Sequence, residues 1–151
     1  MDNYGKIIQD NLARLFRNIP DHLEQMLPGR SQDRQLVLKA FGSSYHIGPE
    51  AITVGNNAET GVIGILISLY ALHAKADPCI PTPFKAYREI PNSMPYAGAF
   101  ASRTEQILIP YIDKIEDNLD LIFETLNGEP GTGGEGGDFS FVVRPFPKIK
   151  L

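Results

Sequence analysis

The chain has 151 residues, a hydrophobic fraction of 42% and a charged fraction of 21%, values that suit one globular domain with a real core. Its net charge is −4 and its pI about 5.3, so it lacks the basic footprint of a nucleic-acid binder. Across residues 103–138 nine acids face two bases, which makes anionic membrane surfaces and phosphate polymers poor partners for that half.

The one cysteine, Cys79, can form no internal disulfide and hold no iron–sulfur cluster, and it fits a reducing compartment. The start, Met-Asp-Asn-Tyr-Gly, lacks the basic residues and apolar core of a signal peptide. The longest apolar run, 62–72, is interrupted by Gly64 and Ser68 and is too short to span a bilayer. A cytoplasmic protein is expected.

In chain order, Ile7, Ile8, Leu12, Leu15, Phe16 and Ile19 recur at helical spacing and predict a first helix, with Asp2 or Asn3 to cap it. Pro20 opens a second, short helix carrying Leu23, Met26 and Leu27, which stops at Pro28-Gly29 before a polar loop. Residues 35–41 alternate, with Leu36, Leu38 and Ala40 on one side, and predict a strand. Gly42-Ser43-Ser44 supplies a turn, 45–47 returns, Pro49-Glu50 turns again, and 51–54 adds a third strand: a small antiparallel meander.

After a loop at 55–60, Thr60 is placed to cap a helix running to about residue 75. Val62, Ile63, Ile65, Leu66, Ile67, Leu69, Tyr70 and Leu72 cover nearly every face of it, the pattern of a buried central helix in which Leu66 and Leu69 are almost fully enclosed. Residues 84–90 are read as a strand stopped by Pro91. Ser102-Arg-Thr-Glu105 has capping-box spacing before a stripe of Ile107/Leu108, Tyr111/Ile112, Ile115, Leu119, Ile122/Phe123 and Leu126. Pro110 should kink that helix, and Asn127-Gly128 should end it. Residues 128–138 form a flexible Gly-rich loop, 139–143 a last strand, and the tail to Leu151 remains strand-like.

Most chemistry-bearing patterns fail their context tests. Gly131-Thr-Gly133-Gly-Glu-Gly136 matches the dinucleotide-binding spacing, yet a helix precedes it, a strand follows, and Glu129, Glu135 and Asp138 oppose phosphate. His22, His46 and His73 are scattered and lack the spacing of a metal site, so no metal ligands and no cofactor are assigned. Ser43-Ser44-Tyr45-His46 is read as a hairpin turn rather than a nucleophile and base. Cys79, between prolines and without an adjacent cation, is read as a spectator. No catalytic residue is assigned.

The segment 83–105 is different. It crowds three prolines and several aromatics together with Lys85, Arg88, Glu89 and Arg103. On a strand, Lys85, Tyr87 and Glu89 would share one face, with Arg88 on the other. Arg103 would open the next helix, where helix N–H groups favour an anion. Lys85, Tyr87, Arg88, Glu89 and Arg103 are therefore the candidate ligand-binding residues, for a carboxylate or phosphate. The competing reading is an internal network in which Glu89 and Glu105 neutralise the cations.

The helix sequence Gly64-Ile-Leu-Ile-Ser-Leu-Tyr-Ala-Leu-His-Ala74, the run Phe84-Lys-Ala-Tyr-Arg-Glu-Ile-Pro-Asn-Ser-Met-Pro-Tyr96, Gly137-Asp-Phe-Ser-Phe141 and Pro145-Phe-Pro-Lys-Ile149 resemble a prokaryotic family catalogued as domain of unknown function number 3786. The resemblance covers almost the whole chain and implies no established activity or catalytic residues. It implies that some relatives carry an added iron–sulfur module, whose cysteines this chain lacks. It also implies further strands beyond the Pro-Phe-Pro-Lys-Ile motif, so residues 1–151 are expected to be one domain truncated at its C-terminal end.

The expected fold is α+β: a small, mainly antiparallel sheet packed on a buried central helix, with N-terminal helices and a long kinked helix outside. The expected function is a cytosolic accessory domain that binds a small molecule or a protein. The alternatives are an enzyme acting on an anionic small molecule through 83–105, and a structural subunit that oligomerises through an unpaired edge at 139–151.

Overall fold

A computed structural model describes residues 3–17, 35–75, 83–131, 140–147, 149 and 151. The short helix expected around Leu23–Leu27, His22, Cys79 and most of the Gly-rich loop lie outside the described residues. The chain divides into two compact units, Met1–Cys79 with Pro145–Lys148, and Ile80–Arg144 with Ile149–Leu151. The fold is α+β, as expected.

In the first unit, helix α1 (Asn3–Arg17) precedes four strands, β1 (Leu36–Ala40), β2 (Ser43–Ile47), β3 (Ile52–Val54) and β4 (Asn57–Ala58), and helix α2 (Val62–His73) follows them. The strands pair antiparallel in the order β1-β2-β3-β4. Register places Leu36 opposite Ile47, Leu38 opposite Tyr45 and Ile47 opposite Ile52. Those residues, with Ala40, are buried and form one sheet face. Val37, Lys39, Ser44, His46 and Thr53 occupy the other.

The first hairpin turns on Phe41-Gly42 rather than Gly42-Ser43-Ser44, because Ala40 pairs with Ser43. Both turn residues have positive φ, 48° and 73°, the type I′ geometry that matches strand twist. Ser43-Ser44-Tyr45-His46 is thus strand, with Ser44 and His46 on its outer face. The β3–β4 turn uses Gly55, at φ 57°. Strand β4 falls within the segment expected to be loop; two residues are too few to show a period.

The core joins both helices to the sheet. Ile8, Leu12 and Leu15 of α1 and Ile67 and Ala71 of α2 pack with Leu36, Leu38, Tyr45, Ile47 and Ile52. Helix α1 is therefore part of the core, not outside it. Phe146 joins them: its ring stacks on Tyr70 at 4.6 Å and meets Phe41 edge-on at 5.0 Å. The Phe41 N–H also donates to the Pro145 carbonyl at 2.8 Å.

Helix α2 departs from the expected all-round burial. Its buried residues are Gly64, Ile67, Ser68 and Ala71. Leu66 is 41% and Leu69 38% exposed, and Val62 and Ile63 are exposed as well. The cause is the small-residue face. A Cβ at Gly64 would lie 2.7 Å from Ile8 Cδ1 and 2.8 Å from the Glu59 carbonyl oxygen, so the Ile8 side chain of α1 packs directly on the α2 backbone here. Buried Asn11 donates to Ser68 Oγ at 3.0 Å, and Ser68 Oγ donates to the Ile65 carbonyl at 2.9 Å. Thr60 does not cap this helix; Gly61 does, with its N–H held by Glu59 Oε1 at 2.9 Å.

The second unit begins with a turn at Tyr87–Glu89 and a further 3₁₀ turn at Met94–Tyr96. Helical backbone then runs on over 97–116: α3 (Ala97–Phe100), a π turn at Ala101–Glu105, α4 (Gln106–Leu108), a 3₁₀ turn at Ile109–Tyr111 and α5 (Ile112–Glu116). The 3₁₀ turn falls at Pro110, which lacks the donor an α-helix needs. Helix α6 (Leu119–Leu126) ends at Asn127 in the left-handed region, φ 49°, and Gly128 N–H caps the Phe123 carbonyl at 2.9 Å. Glu129–Pro130 (β5) then pairs with Phe141–Val142 (β6), so the start of the expected loop is strand. Val143 and Leu151 exchange backbone hydrogen bonds at 2.8 and 2.9 Å, and Arg144 pairs with Glu129 at 3.2 Å.

Two outcomes test this packing. Ile67→Ala should lower stability by about 2–5 kcal/mol, and Gly64→Ala by about 1–3 kcal/mol through overpacking. Leu66→Ala should cost about 1 kcal/mol or less. Urea unfolding measures all three, and equal losses at Ile67 and Leu66 would overturn the assigned helix face.

Burial, and then the Glu59 carboxylate, push the Tyr45 phenol above its ordinary pKa of 10.0, with a Ser43 hydrogen bond opposing them. A raised folded pKa means that the unfolded chain loses its proton first. The stabilisation is complete below pH 10.0 and is lost as pH rises through the folded value. Tyr45→Phe should flatten this alkaline loss of stability relative to wild type; an unchanged alkaline slope in the variant would count against it.

Candidate functional site

Residues 83–100 take their shape from two prolines and one buried serine. Pro91 and Asn92 occupy the centre of a turn closed by Ser93 N–H to the Ile90 carbonyl at 3.1 Å, with Asn92 at φ 65°. Proline at the first central position and asparagine at a positive-φ second position define a type II turn. Ser93 is 6% exposed, and its hydroxyl donates to the Tyr87 carbonyl at 2.6 Å. Pro95 then sits at the start of the Met94–Tyr96 turn, where a missing N–H costs nothing.

This arrangement replaces the strand expected over 84–90. The alternation of Phe84, Ala86, Arg88 and Ile90 is real, but the Glu89 carboxylate turns back to accept the Ala86 N–H at 2.7 Å. Glu89 N–H donates to the Ala86 carbonyl at 2.8 Å. The backbone is thereby closed into a turn, and the shared face for Lys85, Tyr87 and Glu89 does not form.

Each candidate residue has a definite place. Tyr87 is half-buried, and its ring lies parallel to that of Phe100 at 4.1 Å and 1°. Such a pair contributes about 0.5–1.5 kcal/mol beyond burial and ties the turn to α3. Glu89 holds the turn closed, while Lys85, Arg88 and Arg103 are exposed. Among the described residues, none of the three cations enters an ion pair, so the network expected to neutralise them does not appear there.

Arg103 does not open a helix. The helical run begins upstream, and Ser102-Arg-Thr-Glu105 lies inside the π turn. The Ser102 hydroxyl donates back to the Ala99 carbonyl at 3.3 Å instead of capping. Its spacing fits a helix interior as well as a helix start; the start is set by Ser93 and Pro95. The attraction of free helix N–H groups for an anion is therefore absent at Arg103.

Sequence reasoning missed a larger feature. Every residue over 102–114 is exposed. Ile107, Leu108, Ile109, Tyr111 and Ile112 stand in solvent, Ile109 at 61%. The stripe expected to be core divides: Ile115, Leu119, Ile122, Phe123 and Leu126 are half-buried, and the residues before them are not. The available signal was Pro110 together with apolar residues at three consecutive positions, 107–109, more than one helix face can bury.

Among the described residues no three His, Cys, Asp or Glu side chains cluster as metal ligands, and no described helix is long and apolar enough to cross a membrane. No curated protein and no solved structure matches this chain. The family model for the Domain of unknown function (DUF3786) matches residues 19–151. With the match spanning both units, this chain belongs to the DUF3786 family.

Proposed function

We propose that this protein is a cytoplasmic accessory module that binds another protein through the helical arm 102–114. One observation carries the reading: a helical segment exposed along its whole length that displays Ile107, Leu108, Ile109, Tyr111 and Ile112. Contiguous apolar surface on a monomer marks interaction sites. Partner side chains packed on these residues would remove that surface from water. The cytoplasmic placement rests on the single cysteine, which suits a reducing compartment.

A second reading has its own observation. Lys85, Arg88 and Arg103 are exposed and outside any ion pair among the described residues, and Arg103 sits on a π turn, a distortion frequent at functional sites. On this reading the three cations receive a carboxylate or phosphate, with Tyr87 and Glu89 as the scaffold. An enzyme acting on such an anion would use the same side chains.

Replacing Leu108 with a photoreactive amino acid in cells tests the first reading. A covalent adduct to another protein is expected at position 108 and none at Lys39, on the outer face of the sheet. No adduct above the Lys39 level would overturn it, and an adduct with a second copy would favour an oligomerising subunit. Thermal shift with inorganic phosphate and dicarboxylates tests the second. A ligand that stabilises wild type but not Arg103→Ala supports it, and no shift in wild type rejects it.

A further inference from the structure

We infer that the partner surface received by the arm is a basic amphipathic helix of another protein; this rests on the protein-binding reading above. The apolar residues of the arm do not stand alone. Across 105–124 the chain carries Glu105, Asp113, Glu116, Asp117, Asp120 and Glu124 against a single base, Lys114. All six carboxylates are on exposed residues, and among the described residues none is in a salt bridge. The same span exposes Leu121 beyond the five apolar residues of the arm.

Apolar surface with an acidic border selects its occupant by charge. A partner helix must bring leucine-like residues to cover Leu108 and Ile112, and lysine or arginine to meet the carboxylates. Each rim pair contributes little, but the summed field steers encounter and rejects wrong partners. A second copy offers the same surface, with net charge −5 over 105–124, and is repelled. Anionic lipid is repelled for the same reason. Tyr111, half exposed on the arm, also offers a ring face to an arginine or lysine.

The test uses the full chain and two synthetic amphipathic helices, one of leucine and lysine, the other with glutamate in place of lysine. Fluorescence anisotropy measures both. The leucine–lysine peptide should bind at least about tenfold more tightly, and added salt should weaken it. Binding should be lost in the variant Ile107→Ser, Leu108→Ser, Ile112→Ser, and the charge preference should be lost in Glu116→Lys, Asp117→Lys, Asp120→Lys. These positions are exposed, so both variants should unfold at the wild-type temperature. Equal affinity for the two peptides overturns the inference. Undiminished binding by the serine variant overturns it too, because charge alone then suffices. Sedimentation showing that wild type self-associates through the arm makes a second copy the occupant and rejects it. If neither peptide binds while the crosslink at position 108 persists, this inference falls and the docking reading stands; if the crosslink is also absent, both fall.

Discussion

The first unit depends on how closely α1 approaches α2. At Gly64 there is no room for a methyl group: Ile8 Cδ1 and the Glu59 carbonyl already occupy the space. Around that contact, Ser68 and Ala71 keep the rest of the face small. Two helices meeting so closely exclude water from any polar group between them, and Asn11 is such a group. Its amide is satisfied by Ser68, whose own proton goes to the Ile65 carbonyl. Leaving a buried donor unmatched costs about 1–3 kcal/mol, so sliding α1 along α2 is penalised. The bond therefore fixes register where van der Waals contact alone would tolerate a shift.

The same contact decides what remains outside. A helix has one direction in which to approach the sheet and its neighbour, and in α2 that direction is taken by small residues plus Ile67. Leu66 and Leu69 are left half-covered on the opposite side. At the far edge of this core, a second constraint operates. Phe41 holds a left-handed backbone, costly for a bulky L-residue by about 1–2 kcal/mol. Its N–H is bonded to the Pro145 carbonyl and its ring meets Phe146, which in turn stacks on Tyr70. Aromatic burial offsets the backbone strain. The Pro145-Phe-Pro segment thus belongs to the sheet unit, although its neighbours on both sides in sequence belong to the other.

Legibility in the sequence follows from which physical signal dominates locally. The sheet was legible because Leu36, Leu38 and Ala40, and again Tyr45 and Ile47, alternate cleanly into one buried face. The hairpin turn was misplaced by one step because phenylalanine is an unexpected occupant of positive φ, and tertiary contacts with Phe146 hold it there. For α2, hydrophobicity was the wrong quantity to follow: burial is set by size, and Gly64, Ser68 and Ala71 carry it. Over 83–105 the local geometry was not legible. Glu89 is expected as a ligand-binding residue on a strand face, yet it closes a turn; Ser102 is expected as a cap, yet it sits within a helical run. Both depend on local side-chain-to-backbone hydrogen bonds that compete with strand and cap alternatives.

The two units spend their apolar residues differently. In the first, large apolar side chains from two helices and three strands converge on one cluster. In the second, Ser93 is the buried residue of the described stretch 83–131, and it anchors a turn rather than a core. The backbone responds accordingly. Over 97–116 it passes from α to π to α to 3₁₀ and back to α. A core-facing helix is held to one pitch by the side chains it must interdigitate; no such demand acts on 102–114. The π turn and the Pro110 turn rotate successive apolar residues around the axis, so that Ile107, Leu108, Ile109, Tyr111 and Ile112 do not form a single coiled-coil seam. Contact with a partner helix is therefore confined to one short crossing, which favours long, adaptable side chains over a flat, rigid face.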